Sequence, residues 1–379
     1  MSRLRAALAL SALVVACAHT GSKGATLSSI TVGSDAVEQG SRRQLGAVGN
    51  YSDGSTKDIS ASVFWSSSNE VAAKVSGTGL ATGLSPGSTT ITASLGAVSG
   101  NAWLTVLQPL GSAGQPEQLV SFPSLDGVLH HGSPTVLLGI LFKPVGDGPF
   151  PGVIGLHGCG GLFRKGALAT REAAWAKTLV ERGYVVLLPD SFGPRGVATV
   201  CDNGDRVPPW LERSDDAYAA LRYLQSLPFV IGERVGLIGW SHGGGTVAFT
   251  VAKSNKVRPA ELPEGDFRAA VAFYPGWCNS RSLGDRWTPV VPFLLEIGAA
   301  DDWTPAPPCV ALVRSAIERG ALARFQVYDH AYHDFDWPGM PVKPSSPSPG
   351  KVVHTGLNAE ARSDALERVP AFLDEYLKP

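Results

Sequence analysis

The chain has 379 residues, of which 44% are hydrophobic, and its 32 basic and 33 acidic side chains nearly cancel. That length suits more than one domain, and the balanced charge provides no basic stripe for nucleic acid. We therefore expect no nucleic-acid partner. The spacing of the Cys and His residues matches no zinc site, so we expect no metal, and we also expect no cofactor.

Residues 1–17 have the pattern of a bacterial signal peptide. A positively charged start precedes an apolar stretch at residues 6–16 that is too short to span a membrane. The small residue before Cys17 resembles a lipobox, which implies cleavage there and a lipidated Cys17 on a tether of residues 18–25. Ala18 resembles the outer-membrane sorting pattern of Gram-negative lipoproteins, which implies a lipid-anchored protein of the cell envelope, on its periplasmic or surface face. The alternative is an ordinary secretion signal that ends near a cysteine.

Residues 26–107 are rich in Ser, Thr, Gly and Val, and short alternating runs recur there between turn signals. This spacing predicts a small all-β sandwich with Trp65 in its core. The segment resembles the bacterial group 2 immunoglobulin-like domain, and the matching stretches are residues 51–55, 65–69 and 78–87. It has no catalytic pattern, and is either a spacer above the membrane or a surface or glycan contact. Residues 108–119 are predicted to be a linker.

Residues 120–379 alternate apolar strand-like runs with helical patterns, which predicts an α/β domain with a mostly parallel sheet and helices on both faces. The expected strands lie at residues 135–142, 153–156, 185–188, 235–238, 270–274, 293–297 and 325–328. The expected helices lie at residues 169–182, 215–227, 310–319 and 359–377. A ligand site in such a sheet lies at the carboxyl ends of its strands.

A glycine-rich loop, His157-Gly158-Cys159-Gly160-Gly161, follows the second of these strands. Its glycines let the main chain approach a ligand closely. We expect backbone N–H groups of Gly158, Cys159 and Gly160, together with the N–H of His242, to form an oxyanion hole. The side chain of His242 is predicted to pack against the pocket rather than to act as a base.

The strand at residues 235–238 runs into Gly239-Trp240-Ser241-His242-Gly243, and a helical pattern follows at residues 246–252. This Gly-x-Ser-x-Gly turn between a strand and a helix holds its serine at an unfavourable backbone angle and exposes the hydroxyl above the sheet. We therefore predict that Ser241 is a nucleophile. The alternative is a tight turn without chemistry.

A serine nucleophile needs a histidine base and a carboxylate that orients it. Asp301 and Asp302 follow the strand at residues 293–297, and Asp301 is preferred because it comes first after the short exit from that strand. His330 and His333 follow the next strand, and His333 is preferred because it lies further out on the loop and can fold back over the sheet. The alternative makes His330 the base and His333 a surface residue.

If the first cysteine is lipidated, four cysteines remain in an oxidising compartment, and four cysteines allow three pairings. We favour Cys278–Cys309, because both follow neighbouring strands at the carboxyl edge of the sheet. We also favour Cys159–Cys201, which would join the glycine-rich loop to a later loop. One alternative is four buried free thiols. Another is Cys159 as a nucleophile, which is disfavoured because it lacks the strand-to-helix elbow.

Aromatic side chains gather on loops at the expected carboxyl edge of the sheet. Some are expected to line an acyl or aromatic pocket, and Trp240 and Trp303 are candidate substrate contacts, but each is equally consistent with packing. The set comprises Phe192, Trp210, Trp240, Trp277, Trp303 and Trp337. The Pro- and Ser-rich stretch at residues 338–349 is either a flap over His333 or a surface excursion.

These features resemble the dienelactone hydrolase family of α/β-hydrolases over about residues 120–379. The matching features are residues 157–161, residues 183–190, the Ser241 elbow, the Asp301 turn and residues 331–335. The resemblance implies an α/β-hydrolase fold and a substrate-carboxylate arginine shortly after the third strand, at Arg195. The best-known members have a cysteine nucleophile, and a glutamate where Gly158 stands here. The resemblance therefore implies serine-type ester hydrolysis more strongly than dienelactone opening.

The leading hypothesis is a membrane-tethered serine hydrolase that cleaves carboxylic esters or lactones through an acyl-enzyme. Its partners would be a small-molecule ester or lactone and, through the N-terminal lipid, a membrane. One alternative is a peptidase on the same fold, but the sequence shows no pocket for a peptide amine or a proline. Another is a surface adhesion or binding lipoprotein with a non-catalytic hydrolase domain, which the full set of candidate residues disfavours.

Overall fold

The computed structural model describes residues 25–33, 35–85, 87–107, 117–130, 134–262 and 264–379. Cys17, the predicted lipidation site, lies outside the described residues, as do almost all of the predicted tether and most of the predicted linker. Within the described ranges, no helix combines the length and the apolar character needed to cross a membrane.

The N-terminal domain is built of short strands in three small sheets. Its strands are β1 (Leu27–Val32), β2 (Asp35–Glu38), β3 (Arg42–Gln44), β4 (Ala47–Tyr51), β5 (Thr56–Asp58), β6 (Phe64–Ser67), β7 (Ala73–Val75), β8 (Leu80–Gly83), β9 (Gly87–Leu95) and β10 (Val98–Leu107). The strand orders are β1-β4-β5, β2-β10-β9-β6 and β3-β8-β7. The predicted all-β architecture is confirmed.

Alternating side chains give this domain its core. In β8 every second residue is buried, as expected for strands with one face towards the interior. Trp65 is only 4% exposed, and its indole N–H donates to the Ser60 carbonyl oxygen at 3.0 Å. Trp65 is therefore a core residue, as predicted.

The C-terminal domain is organised around one eight-stranded sheet. Two small hairpins, β14-β15 and β21-β22, lie outside it. The strands of the domain are β11 (Glu117–Pro123), β12 (Val136–Phe142), β13 (Phe150–Leu156), β14 (Phe163–Arg164), β15 (Ala167–Leu168), β16 (Val185–Asp190), β17 (Val230–Trp240), β18 (Ala269–Phe273), β19 (Phe293–Gly298), β20 (Ala323–Tyr328), β21 (Lys343–Ser348) and β22 (Lys351–Thr355).

The strand order of the large sheet is β11-β12-β16-β13-β17-β18-β19-β20. Six neighbouring strands run parallel, in the order β16, β13, β17, β18, β19 and β20. Strand β12 pairs antiparallel with both of its neighbours, β11 and β16. Every residue of β16, β18 and β19 is buried, which requires cover on both faces of the sheet. The predicted α/β-hydrolase fold is confirmed.

The helices are α1 (Thr170–Glu181), α2 (Glu212–Gln225), α3 (His242–Thr250), α4 (Ser280–Leu283), α5 (Ala306–Glu318) and α6 (Ala359–Leu377). Helix α3 packs on β17 and β18, and α5 packs on β20. The loops after β13, β17, β19 and β20 all leave the same carboxyl edge of the sheet, because these strands are parallel. Gly158, Ser241, Asp301 and His333 lie on these loops.

One segment differs from the sequence-based expectation. Strand β11 begins at Glu117, inside the predicted linker, and pairs along its whole length with β12. It is a half-exposed edge strand, so it lacks the apolar run that marks the buried strands. The Pro- and Ser-rich stretch at residues 338–349 contains β21, which pairs with β22 in a hairpin.

Candidate active site

Ser241 lies at the junction between β17 and α3, in a turn that only glycine neighbours permit. Its φ is 55° and its ψ −111°, a positive-φ conformation that non-glycine residues rarely adopt. A Cβ atom on Gly239 would overlap the Gly243 carbonyl oxygen, and one on Gly243 would overlap the Leu156 carbonyl oxygen. Ser241 lines a cavity of about 290 Å³ at the carboxyl edge of the sheet.

The carboxylate of Asp301 is held rigidly in the turn after β19. Its Oδ1 accepts the backbone N–H groups of Trp303 at 2.9 Å and Thr304 at 2.8 Å. Its Oδ2 lies 2.8 Å from Nδ1 of His333 and also accepts the Thr304 hydroxyl at 2.9 Å. Because the carboxylate accepts, Nδ1 of His333 carries the proton in this pair.

The His333 ring is buried, and the two sides of the ring have different surroundings. Nδ1 is bonded to Asp301, whereas Nε2 has no hydrogen-bond partner among the described residues. Burial lowers the pKa of His333, but the charge and hydrogen bond of Asp301 outweigh that effect, so the net pKa is raised. An imidazole with a fixed Nδ1–H and an unpartnered Nε2 is the form that accepts a proton at Nε2.

Ser241 and His333 are both positioned by the last residue of β18 and the segment directly after it. The Ser241 N–H donates to the Phe273 carbonyl oxygen at 3.0 Å, and the Gly276 N–H donates to the Ser241 carbonyl oxygen at 2.9 Å. The Tyr274 ring packs against the His333 ring with centroids 4.5 Å apart. The elbow and the histidine are thus fixed to adjacent residues of one segment.

The glycine-rich loop after β13 passes close to Ser241. A Cβ atom on Gly158 would lie 3.7 Å from the Cβ of Ser241, so the main chain of the loop approaches the serine closely. The backbone N–H of Cys159 has no hydrogen-bond partner among the described residues. His242 is the first residue of α3, so its N–H has no partner within the helix. Both N–H groups are therefore available near the serine.

A disulfide holds this loop from its far side. Cys159 is bonded to Cys201, and its carbonyl oxygen accepts the Val200 N–H at 2.9 Å. A second disulfide joins Cys278, after β18, to Cys309 in α5. Both favoured cysteine pairings are confirmed.

A buried arginine lies behind the two candidate oxyanion donors. Arg213 donates to the His157 carbonyl oxygen and approaches Nδ1 of His242, each at 2.9 Å. Burial, followed by the Arg213 charge, lowers the pKa of His242 to about 3, so its ring is neutral at neutral pH. Since Arg213 can only donate, Nδ1 accepts, and Nε2 donates to the Gly204 carbonyl oxygen at 3.0 Å. Both ring nitrogens are engaged, which fits the predicted packing role.

The walls of the Ser241 cavity come from several loops. Trp303 lines it and packs against the His333 ring at 4.8 Å between centroids, so the predicted candidate Trp303 lies at the site. Trp277, from the loop after β18, forms another wall. Lys351, at the start of β22, lines the cavity as well, and the Gly356 N–H donates to the His333 carbonyl oxygen at 2.9 Å. The β21-β22 hairpin therefore lies beside His333.

Trp240 requires a correction as a candidate substrate contact. Its side chain is fully buried, and its indole N–H donates to Asp336 Oδ2 at 2.9 Å. It stacks on Phe273 with ring centroids 5.9 Å apart. Trp240 is thus a core residue beneath the elbow, because the turn directs the Ser241 and Trp240 side chains to different sides of the backbone.

Arg195, the candidate for binding a substrate carboxylate, also requires a correction. Its guanidinium donates to Asp126 at 2.7 Å and to both carboxylate oxygens of Asp216 at 2.8 Å. The side chain is 11% exposed and does not line the cavity beside Ser241. These ion pairs tie the loop after β16 to α2, so the role of Arg195 is structural.

This arrangement predicts a large effect on stability. Arg195→Met leaves two buried carboxylates without their cation, and we expect the free energy of unfolding to fall by about 3–5 kcal/mol. Urea unfolding followed by circular dichroism measures the change. The matched control is Arg206→Met, since Arg206 pairs with Asp202 at an exposed position and should contribute under about 1 kcal/mol. Equal losses in the two variants would contradict the structural role.

Asp302 and His330, the alternatives to Asp301 and His333, lie away from the Asp301–His333 pair. Asp302 points to the surface, where its Oδ2 lies 2.8 Å from Nδ1 of His354. His330 is exposed in the turn after β20. Only the preferred residues, Asp301 and His333, are brought together among these four described side chains.

Some residues of the site were not singled out from the sequence. Thr304 bridges Asp301 and His333, with its hydroxyl 3.0 Å from Nδ1 of His333. Thr304 follows Asp301 closely in the chain, so the turn itself carries this signal. No nearby motif in the sequence marks Arg213 or Lys351 as part of the site, because they reach it from α2 and β22, which lie elsewhere in the chain. No group of His, Cys, Asp or Glu side chains in the described part of the chain is arranged to hold a metal ion.

Comparison with known proteins identifies both domains. A sequence profile of the dienelactone hydrolase family matches residues 137–377. A profile of the bacterial Ig-like domain (group 2) matches residues 26–106. Among solved structures, a putative dienelactone hydrolase from Klebsiella pneumoniae subsp. pneumoniae MGH 78578 has a TM-score of 0.51 and 18% identity, covering 69% of this chain and 100% of its own. At that identity the likeness concerns the fold.

Two curated relatives match shorter stretches. Ice-binding protein 1 of Shewanella frigidimarina (strain NCIMB 400) is 49% identical over 83 residues, which is 21% of this chain and 9% of that protein. The mitochondrial acyl-coenzyme A thioesterase 2 of Mus musculus is 37% identical over 106 residues, which is 27% of this chain and 19% of that protein. The chain thus spans less than a fifth of the length of either relative.

Proposed function

The chain belongs to the dienelactone hydrolase family, and from that premise we propose that it is a serine hydrolase of carboxylic esters or lactones. In this proposal Ser241 attacks the carbonyl carbon while Nε2 of His333 takes the serine proton. Asp301 keeps the imidazole in the required tautomer and stabilises the imidazolium that forms. The leaving alcohol takes that proton, and water then releases the acyl-enzyme by the reverse sequence.

The observation that carries the proposal is the state of His333. Its Nδ1 is bonded to Asp301 at 2.8 Å, and its Nε2 is buried and unpartnered within the described residues. A buried imidazole nitrogen without a partner is costly unless a reacting group uses it. The candidate nucleophile is the strained Ser241, whose cavity is also lined by Trp303, the residue that packs on the His333 ring.

The negative charge that develops on the carbonyl oxygen needs donors that are already in place. We assign this role to the N–H groups of His242 and of the Gly158–Gly160 segment, with Cys159 as the principal donor of the loop. The Cys159–Cys201 disulfide and the Arg213 hydrogen bond to the His157 carbonyl oxygen support the loop. Loss of one such donor typically reduces kcat by about 10²–10³-fold.

The proposal predicts the pH dependence of kcat/KM for a neutral ester. His333 acts as a base only when it is neutral, so activity rises with pH through its pKa. Because that pKa is raised, we expect the midpoint of the acid limb above the ordinary histidine value of 6.5. Rate measurements across pH with p-nitrophenyl acetate and a wide-range buffer give the midpoint. A midpoint well below the ordinary value would contradict the assigned base.

The experiment that tests the function is a panel of p-nitrophenyl esters with the purified protein. Turnover that is lost in Ser241→Ala supports the serine mechanism. Absence of turnover across the panel, or equal rates in both proteins, would contradict the general esterase proposal. Lactones and an amide substrate in the same panel separate ester hydrolysis from a peptidase activity.

Thioester cleavage is a second candidate function. The stretch shared with the mouse acyl-coenzyme A thioesterase favours it, although the match covers only 27% of this chain. The same acyl-enzyme chemistry serves oxygen esters and thioesters, because both present a carbonyl to the serine. A matched acyl thioester added to the panel decides between them by the ratio of the two kcat/KM values.

Localisation remains a prediction from the sequence. Lipidation of Cys17 would place the enzyme on a membrane of the cell envelope, with residues 26–106 as the domain nearest to the lipid. This domain would act as a spacer or as a contact to a surface or glycan. No described residue bears on the anchor itself.

A further inference from the structure

We propose that the aromatic cleft beside the Ser241 cavity binds an apolar acyl group, so that the preferred substrates are esters of medium-chain or aromatic acids. The cleft has a volume of about 550 Å³, which lies in the usual range for small-molecule sites. It lies between the start of α2, the end of α3 and α4. The inference rests on the proposed function, and it adds the chemical class of the acyl group.

The cleft adjoins the Ser241 cavity, because the Trp277 side chain lines both spaces. Trp277 has a φ of 55°, unfavourable for a bulky residue, and its ring packs edge-on to His242 at 5.0 Å between centroids. A Cβ atom on Gly204 would overlap the Trp277 ring, so that position must be free of a side chain. The indole is therefore held in this unusual position on the wall common to both spaces.

The lining of the cleft indicates an apolar ligand. Trp210 packs against Trp277 at 6.1 Å and against Phe249 at 5.6 Å between ring centroids, and it is still 37% exposed. No acidic side chain lines the cleft among the described residues, the one lining cation, Lys256, is exposed, and the Asn255 amide is engaged by its own neighbouring backbone. An exposed tryptophan in a concave apolar surface is the feature expected where a ligand covers it.

The position of His333 decides which part of an ester the cleft receives. The histidine hands its proton to the leaving alcohol, so the alcohol must lie on the His333 side of the serine. That side is walled by Trp303, which packs on the His333 ring. Trp277 instead packs on the ring of His242, the residue that follows Ser241 in the chain. The acyl group, which points away from the alcohol, is therefore directed along Trp277 towards Trp210.

The kinetic test compares p-nitrophenyl acetate, octanoate and benzoate with the full chain. We expect kcat/KM to be about 100-fold higher for octanoate than for acetate, because the added methylene groups move from water into the apolar cleft. Trp210→Ala should lower kcat/KM for octanoate and benzoate by about 30-fold and leave acetate within about threefold. Trp210→Phe should restore most of the loss, and Phe64→Ala, at an exposed aromatic residue of the N-terminal domain, should change nothing.

A binding measurement separates this inference from the proposed function. Octanoate is titrated calorimetrically into Ser241→Ala and into the double variant that also carries Trp210→Ala. Binding that is lost only in the double variant supports the cleft, even if no ester is turned over. Turnover of acetate without gain for octanoate overturns the inference and leaves the proposed function intact. Absence of octanoate binding, or binding unchanged by Trp210→Ala, also overturns it.

Discussion

Ser241→Ala is expected to reduce kcat by about 10⁶-fold, with little change in KM. The nucleophile contributes only to the chemical steps, whereas the cavity walls and the oxyanion donors persist in the variant. The residual rate would come from these donors and from binding alone. Initial rates with a p-nitrophenyl ester at saturating concentration measure the loss.

The stability of this variant should be nearly unchanged, since alanine keeps the Cβ atom and the same strained backbone at this position. Ser226→Ala is the matched control, because the Ser226 hydroxyl is exposed and, within the described part of the chain, bonds only to the Tyr223 carbonyl oxygen. Its kcat should equal that of the unmodified protein. A loss below about 10³-fold in Ser241→Ala would contradict the nucleophile assignment, because that is no more than the loss of a single oxyanion donor costs.

Asp301→Asn is expected to reduce kcat by about 10⁴-fold. The amide can donate to Nδ1 of His333 and so favours the tautomer with the proton on Nε2, which cannot accept the serine proton. The substitution also removes the charge that raises the His333 pKa, while burial continues to lower it. The acid limb of the remaining activity should therefore move to lower pH.

The adjacent residue provides the control for this prediction. Asp302→Asn removes a carboxylate that contacts His354 at an exposed position, and kcat should stay within about threefold. Comparable losses in the two variants would contradict the role of Asp301. An unchanged acid limb in Asp301→Asn would show that another group titrates.

Much of the fold followed from local signals in the sequence. Helix α6 was expected at residues 359–377 and is observed at Ala359–Leu377, because its apolar face repeats at helical spacing without interruption. The buried parallel strands were equally clear as continuous apolar runs. Strand β11 was missed because a half-exposed edge strand carries a weaker pattern than the Gln- and Pro-rich composition around it.

In the candidate site too, the residues in local motifs were easier to predict than those with distant partners. Ser241 and the turn at Asp301 sit in short motifs whose backbone geometry depends on neighbouring residues. The side-chain positions of Trp240 and Arg195 depend on residues far along the chain. Trp240 donates to Asp336, and Arg195 pairs with Asp126 and Asp216. Such partners become visible only once the tertiary structure brings them together. For this reason the sequence motifs predicted the local geometry at Ser241 and Asp301 better than the surroundings of Trp240 and Arg195.

The most direct test of the account is covalent labelling with a fluorophosphonate, which leaves a stable adduct on a serine nucleophile. Intact-mass measurement followed by peptide mapping should show one adduct, on the peptide that contains Ser241. His333→Ala should react far more slowly, because the serine then lacks its base, and Ser241→Ala should not react at that peptide. An adduct on another residue, or no adduct in the unmodified protein, would contradict the claim that Ser241 is the nucleophile.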